Sequence, residues 1–279
     1  MDIGVLLNIR HDTNIGEAFE RIRDMRIASC QICIWDPSLY TDANAKAVKE
    51  AQSASGVRVS AVWAGWTGPA VWDFYDGPLT LGLVPAPLRY HRINELLIGG
   101  DFAEKIGVTD VITHVGFLPE NPNDSDYIGV VSALRYLAGR MKEKGQNFLF
   151  ETGQETPTTL IRAIEDVGTG NLFINFDTAN LILYGKANPA DAARILGHYV
   201  RNTHCKDGEF PTDGRHLGCE VPLGEGQANL PKVLEILDKQ GYAGPLTIER
   251  EISGERQIRD IEMAREYLTR ITAALQTRR

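Results

Sequence analysis

Hydrophobic residues along the chain gather in short runs rich in β-branched side chains, separated by longer stretches whose apolar positions recur every three or four residues. Runs at 3–7, 30–35, 57–63, 108–114, 148–151, 172–177, 199–206 and 245–249 have the length and residue types of buried strands. The stretches between them read as helices. From 127 to 144, Val130, Val131, Leu134, Leu137 and Met141 keep a helical period, and Gly145 follows as a terminator. Ile258, Ile261, Leu268, Ile271 and Leu275 repeat the pattern near the end of the chain. Thr156-Pro157 and Asn188-Pro189 each place a capping side chain before a proline at the first helical position.

Eight strands alternating with helices predict an α/β protein with a parallel sheet. No Pro/Gly/Ser linker or charge block divides the 279 residues, a length that one (β/α)8 barrel accommodates. The expected architecture is therefore a single barrel domain over 1–279, with an open doubly wound sheet as the alternative. No GxGxxG follows the first strand and no GxxxxGK[ST] occurs in the chain, so no nucleotide cofactor is expected.

The net charge of -8 disfavours a protein built to hold phosphate backbones, which needs clustered Lys and Arg. A small-molecule partner is expected, with no nucleic acid. No stretch approaches the roughly 18 apolar residues of a membrane span, and the segment MDIGVLLNIR lacks the parts of a signal peptide. The expected location is the cytoplasm, where the four cysteines remain thiols. Cys30 and Cys33 form a CxxC, but CQICIW reads as a strand, on which residues three apart face opposite sides. They are expected to be core thiols rather than a zinc or redox pair.

Four late strands end in residues that bind metals: FLFE at Glu151, INFD at Asp177, RNTH at His204 and LTIE at Glu249. In a barrel all strands end at one mouth, so these side chains become neighbours. Three carboxylates gathered there repel one another unless a cation joins them. Three oxygen donors and one imidazole suit Mn2+ first, with Mg2+, Co2+ and Zn2+ as alternatives, and disfavour copper(I) or an iron–sulfur cluster.

These motifs resemble the xylose isomerase-like TIM barrel superfamily of sugar phosphate isomerases and epimerases, over essentially the whole chain. The Glu of FLFET, the Asp of FDTANL, the His of THCKD and the Glu of TIERE sit where that family places its metal ligands, and PLGEGQANL resembles its glycine-rich segment after the seventh strand. The resemblance implies a divalent-metal-dependent isomerase or epimerase of carbohydrate metabolism, with Glu151 and Glu249 as the acid/base pair. Removing a proton next to a carbonyl creates an enediolate whose charge a divalent ion can stabilise. Homo-oligomers are common in the family, and the implied ligand is a sugar or polyol-derived ketone. Ketose 3-epimerases have a His where this chain has Asn180, and an Arg closer to the ligand His than Arg215 is to His204. Both departures concern substrate contacts, and they leave the particular sugar open.

Further substrate-contact candidates are His114 at the end of the fourth strand, Glu155 after Glu151, Lys206 on the same strand face as His204, and Arg215. Glu155 can equally complement the following helix dipole, and Lys206 can pair with Asp177. The connection over 64–92 is long and rich in Pro, Gly and aromatic residues, so it is read as a loop capping the mouth with Trp66, Trp72, Phe74 or Tyr75. Trp35 is placed to form an apolar wall against a sugar face. Competing readings are a dehydratase acting on an inosose-like ketone, an endonuclease IV-type hydrolase, disfavoured by the charge and by only six His, and a non-catalytic sugar-binding barrel.

Overall fold

A computed structural model of the chain describes residues 1–277. Eight parallel strands close on themselves in the order β1-β8-β7-β6-β5-β4-β3-β2: β1 (Ile3–Asn8), β2 (Ser29–Ile34), β3 (Arg58–Ala64), β4 (Asp110–Thr113), β5 (Asn147–Glu151), β6 (Leu172–Asp177), β7 (Val200–Cys205) and β8 (Leu246–Ile248). The expected TIM barrel forms. Strand bounds fall within one or two residues of the hydrophobic runs, with a consequence at four ends: Trp35, His114, Lys206 and Glu249 each lie just past their strand, where the backbone is turning into a loop.

The register fixes what faces inward. Asp177 stands opposite His204, Glu151 opposite Asn175, and Thr247 opposite His204. Because side chains alternate along a strand, every second residue up from these shares a face. Leu149 and Glu151, Asn175 and Asp177, Asn202 and His204, and Thr247 and Glu249 therefore rise toward one mouth. The other face of the same strands, with Phe148, Phe150, Ile174 and Phe176, packs in the large core beneath the helices, whereas Cys33, Ala61, Trp63, Ile112 and Leu149 form a small apolar plug inside the barrel. Cys30 and Cys33 obey the same rule, one in the outer core and one in the plug. Burial pushes the Cys30 thiol up to about 12 and Cys33 higher still, so neither is a thiolate at neutral pH.

The helix signals hold. Thr156 caps Pro157–Val167 by accepting from the Thr159 N–H, and Asn188 caps Pro189–Leu196 by accepting from Ala190 and Asp191. In the last helix, Glu255–Gln276, the periodic residues are buried except Ile258, which is exposed. Among the described residues no helix is long and apolar enough to cross a membrane.

The connection after β3 is shorter than its composition suggested. Helix begins at Ala86, with prolines at its start, and runs to Lys105, so Tyr90, His91 and Arg92 belong to a helix. Proline is tolerated in a first turn, where the N–H would have no partner in any case. The remaining loop, 65–85, contains one short helix, Gly77–Thr80. It is fastened by Arg92, whose fully buried guanidinium donates to the carbonyls of Thr67, Pro69, Thr80 and Gly82 and lies 3.7 Å from the centre of the Trp66 ring. Glu95, one turn on, accepts from the Thr67 N–H and hydroxyl.

Candidate metal centre

One carboxylate oxygen each from Glu151, Asp177 and Glu249 and a ring nitrogen of His204 lie within 4.8 Å of one another, and all four residues are buried. His204 Nδ1 is 3.0 Å from Glu151 Oε1, 3.1 Å from Glu249 Oε2 and 3.5 Å from Asp177 Oδ2. The cluster is not satisfied by hydrogen bonds: Asp177 Oδ2 has no hydrogen-bond partner, and Glu249 Oε2 has only the ion-pair contacts of His204 and Lys206. Buried carboxylate oxygens left without donors are costly. A cation among the four groups would answer all of them at once, and hard oxygen donors with one imidazole suit a divalent ion.

The electrostatics agree. Burial pushes Glu151 up, but His114 and His204 outweigh it and hold the carboxyl below its usual range. Burial likewise opposes ionisation of Glu249, and His204 and Lys206 override it, holding that carboxyl well below the usual range. Asp177 is left as the group that keeps a proton, raised to about 7 chiefly by burial, against the pull of Lys206 and His204. Burial disfavours the charged form of His204, yet Glu249 and Glu151 raise it well above its ordinary value. A proton on Nδ1 thus stands where a cation would sit.

Asp177 has a second task. Its Oδ1 accepts from the Asn180 N–H at 2.7 Å, capping the helix Thr178–Leu183, which leaves Oδ2 for the cluster. Asn180 in turn reaches back, its Nδ2 donating to Glu151 Oε1 at 3.2 Å.

Sequence reasoning missed Trp63, which donates to Glu151, and Gln31, in β2. Its Oε1 lies 2.7 Å from His204 Nε2, and its Nε2 donates to Asn175 Oδ1 at 3.0 Å and to Asn202 Oδ1 at 3.4 Å. Asn202 donates from Nδ2 to Asp110, which also accepts from Asn147 and Arg201. A carboxylate only accepts, so Asn202 turns its oxygen to Gln31, and Gln31 turns its own oxygen to His204. His204 Nε2 must therefore donate, leaving Nδ1 for a metal. The available signal was a lone Gln within an apolar strand; its partners are 144, 171 and 173 residues away. Gln31→Leu is expected to weaken Mn2+ binding by about 10- to 100-fold with the circular dichroism spectrum unchanged. Equal Mn2+ affinity by titration calorimetry would remove this role.

The remaining candidates separate. His114 is at the site, its Nε2 3.5 Å from Glu151 Oε2, and the same oxygen receives the Trp63 indole N–H. Lys206 is buried and is 3.9 Å from Asp177, but it lies closer to Glu249, at 3.2 Å, and to Glu251, at 2.7 Å. Its charge is thus already shared between two carboxylates. Glu155 is buried with Oε1 unpartnered, and burial raises its carboxyl to about 8. Trp66 does not face the opening: it is 1% exposed, packed between Trp35 and Arg92. Arg215 lies out on the surface against the Tyr75 ring, and its carbonyl accepts from the Phe74 N–H. The loop after β3 thus reaches the loop after β7.

The glycine-rich segment 222–230 wraps a carboxylate belonging to the chain itself. The N–H groups of Gly224, Gly226 and Ala228 donate to buried Asp207, and a Cβ on Gly226 would collide with that carboxylate and the Gly208 backbone. Its task is to fix the loop after β7.

Comparison with known proteins agrees with this architecture. The model of the family described as xylose isomerase-like TIM barrel matches residues 19–271. The chain belongs to the xylose isomerase-like TIM barrel family. A solved xylose isomerase domain protein from Planctomyces limnophilus is 36% identical, with 99% of each chain covered and a TM-score of 0.92. A D-tagatose 3-epimerase-like protein shares the barrel at 19% identity, with 100% of this chain and 99% of that one covered and a TM-score of 0.77. An uncharacterized protein of Methanocaldococcus jannaschii is 28% identical over 173 residues, 57% of this chain and 54% of that protein. The chain spans about half the length of that curated relative.

Proposed function

We propose that this xylose isomerase-like barrel is a divalent-metal-dependent isomerase or epimerase that moves a proton at carbon beside the carbonyl of a sugar or polyol-derived ketone. The observation behind this is the pair Glu151 and Glu249 within a four-residue cluster of metal-ligating groups. They come from the two outer of four consecutive strands, β5 and β8, and so approach the cluster from its two flanks. Glu151, Asp177, His204 and Glu249 would hold the ion, Mn2+ by preference, which supplies positive charge to substrate oxygens as negative charge develops.

The chain's own residues supply the proton chemistry. Glu151 and Glu249 are both held ionised by their neighbours, so each is ready to take a proton. Trp63 and His114 fix one oxygen of Glu151, while Lys206 lies against Glu249. One carboxylate removes a proton from carbon and in isomerisation hands that proton to the neighbouring carbon; in epimerisation the second carboxylate first takes up a proton from solvent and delivers it to the opposite face, and the first returns its own to solvent.

Solvent exchange in D2O tests the proposal. With Mn2+ and a panel of ketoses and inososes, deuterium is expected at carbon beside the carbonyl, and Glu151→Gln is expected to abolish its entry. No exchange in any panel member, or exchange undiminished in the variant, would sink the reading.

A further inference from the structure

The barrel interior beneath the metal-ligating groups is polar. Such interiors are usually filled by layers of branched apolar side chains, yet Gln31, Asp110, Asn175 and Asn202 are all buried there and joined to one another or to His204 by hydrogen bonds. Asp110 is the first residue of β4 and stands opposite Asn147, the first of β5. It therefore lies at the N-terminal end of the barrel, while the metal-ligating groups gather at the C-terminal end. Two amides span the distance. Asn202 Nδ2 donates to Asp110 Oδ2 at 3.1 Å, Gln31 Nε2 donates to Asn202 Oδ1 at 3.4 Å, and Gln31 Oε1 lies 2.7 Å from His204 Nε2.

A relay of amides can run in either sense, because each offers donors at one end and an acceptor at the other. Its sense is set by a group that cannot exchange the two roles. Asn175 is not that group: its Oδ1 accepts from Gln31 at 3.0 Å, but its Nδ2 has no partner, so this amide can turn over without breaking another bond. Asp110 is. Its carboxylate only accepts, and Asn147 Nδ2 at 2.8 Å and Arg201 Nε at 3.2 Å aim further donors at it. Asparagine in its place would keep a single acceptor for all of these donors and would turn its own N–H groups on one of them. Asn202 can then turn over, with its oxygen to residue 110 and its nitrogen to Gln31. Gln31 answers with its oxygen and presents Nε2 to His204, whose Nε2 must now accept and whose Nδ1 must carry the proton. That tautomer closes Nδ1 to a metal ion.

We propose that Asp110 is a positioning residue for the metal centre: acting through Asn202 and Gln31 from the opposite end of the barrel, it keeps His204 Nδ1, the nitrogen that faces Glu151, Asp177 and Glu249, open to a divalent ion. A residue at the N-terminal end of a barrel strand ordinarily serves stability; this one serves the site as well. The inference rests on the reading of the four-residue cluster as a metal centre.

A double-mutant cycle of Asp110→Asn and Gln31→Leu tests it, with Mn2+ affinity measured by titration calorimetry and metal-free stability by urea denaturation. Alone, Asp110→Asn is expected to weaken Mn2+ binding about tenfold, the lower end of what an outer partner of a metal ligand contributes. In the Gln31→Leu background, where no amide connects Asp110 to His204, the same substitution is expected to change the affinity by less than about twofold, while its effect on metal-free stability is the same in both backgrounds. Arg201→Gln removes a donor from the same carboxylate without touching the relay, and is expected to leave Mn2+ affinity unchanged. Should Asp110→Asn fail to fold, Asn202→Leu cuts the relay at its middle and is held to the same two expectations. Unchanged affinity in the single variant, an equal loss with and without Gln31, or a loss in Arg201→Gln as large as in Asp110→Asn would overturn the proposal. The two readings fail separately: a native protein that binds no Mn2+ loses the metal centre and this inference with it, whereas Mn2+ binding that depends on Gln31 and not on Asp110 keeps the centre and removes the positioning role.

Discussion

Glu249→Gln is expected to lower the rate of solvent proton exchange by about 10²- to 10⁴-fold, the span that one positioned general acid or base contributes, while the barrel stays folded. The amide has nearly the shape of the carboxylate but accepts no proton at neutral pH. It also removes one negative charge from the cluster, so Mn2+ affinity is expected to fall too. Lys206 keeps its 2.7 Å contact with Glu251, so the substitution does not strand a buried cation. Measuring exchange at saturating Mn2+ separates the two losses. If the rate at saturation equals that of the native protein, Glu249 is a ligand only and the paired-carboxylate reading fails. Glu151 differs from it in one respect: two hydrogen-bond donors besides His204, namely Trp63 and Asn180, converge on its two oxygens, with His114 3.5 Å away, which makes it the more rigidly oriented of the pair.

Arg92→Met is expected to destabilise the protein by about 3 kcal/mol and to loosen the loop over the mouth. Burial pulls the guanidinium down to about 10, still charged at neutral pH. It faces four backbone carbonyls rather than a carboxylate. Methionine fills much of the volume but donates nothing, and each buried carbonyl left without a donor costs roughly 1–3 kcal/mol, less where water can reach it. Water admission at the surface of the loop keeps the sum below the simple product. Urea denaturation gives the stability change, and proteolysis between 67 and 82 reports the loop. Unchanged stability together with unchanged protection would show that the loop is held elsewhere, for instance by Glu95 at Thr67.

The two substitutions probe different layers. Glu249 stands at a strand end and could be picked out of the sequence because it interrupts an apolar run. Arg92 could not. In sequence it lies in PLRYHR beyond a proline-rich stretch, which reads as more loop, and only the helix that starts at Ala86 turns it inward beneath Trp66. Trp66 was misjudged for the same reason. An aromatic in a long loop beside a barrel mouth reads as a cap, yet the guanidinium on one side and Trp35 on the other bury it. Lys206 was placed on the correct face by strand parity, but the choice among Asp177, Glu249 and Glu251 as partners depends on a few ångströms that parity does not supply.

What the sequence by itself determined is whatever follows from period and convergence. Alternation along each strand decides which residues point inward, closure of eight parallel strands brings their ends to one mouth, and so Glu151, Asp177, His204 and Glu249 had to meet. Only the tertiary structure decided how the meeting is controlled: the Gln31 amide that orients His204 from the far side of the barrel, the four tryptophans gathered opposite the metal ligands, and the buried Arg92 that fastens the loop carrying two of them. These are contacts between groups that no strand or helix period relates, and their hydrogen-bond directions and ring packing leave no periodic trace in a sequence.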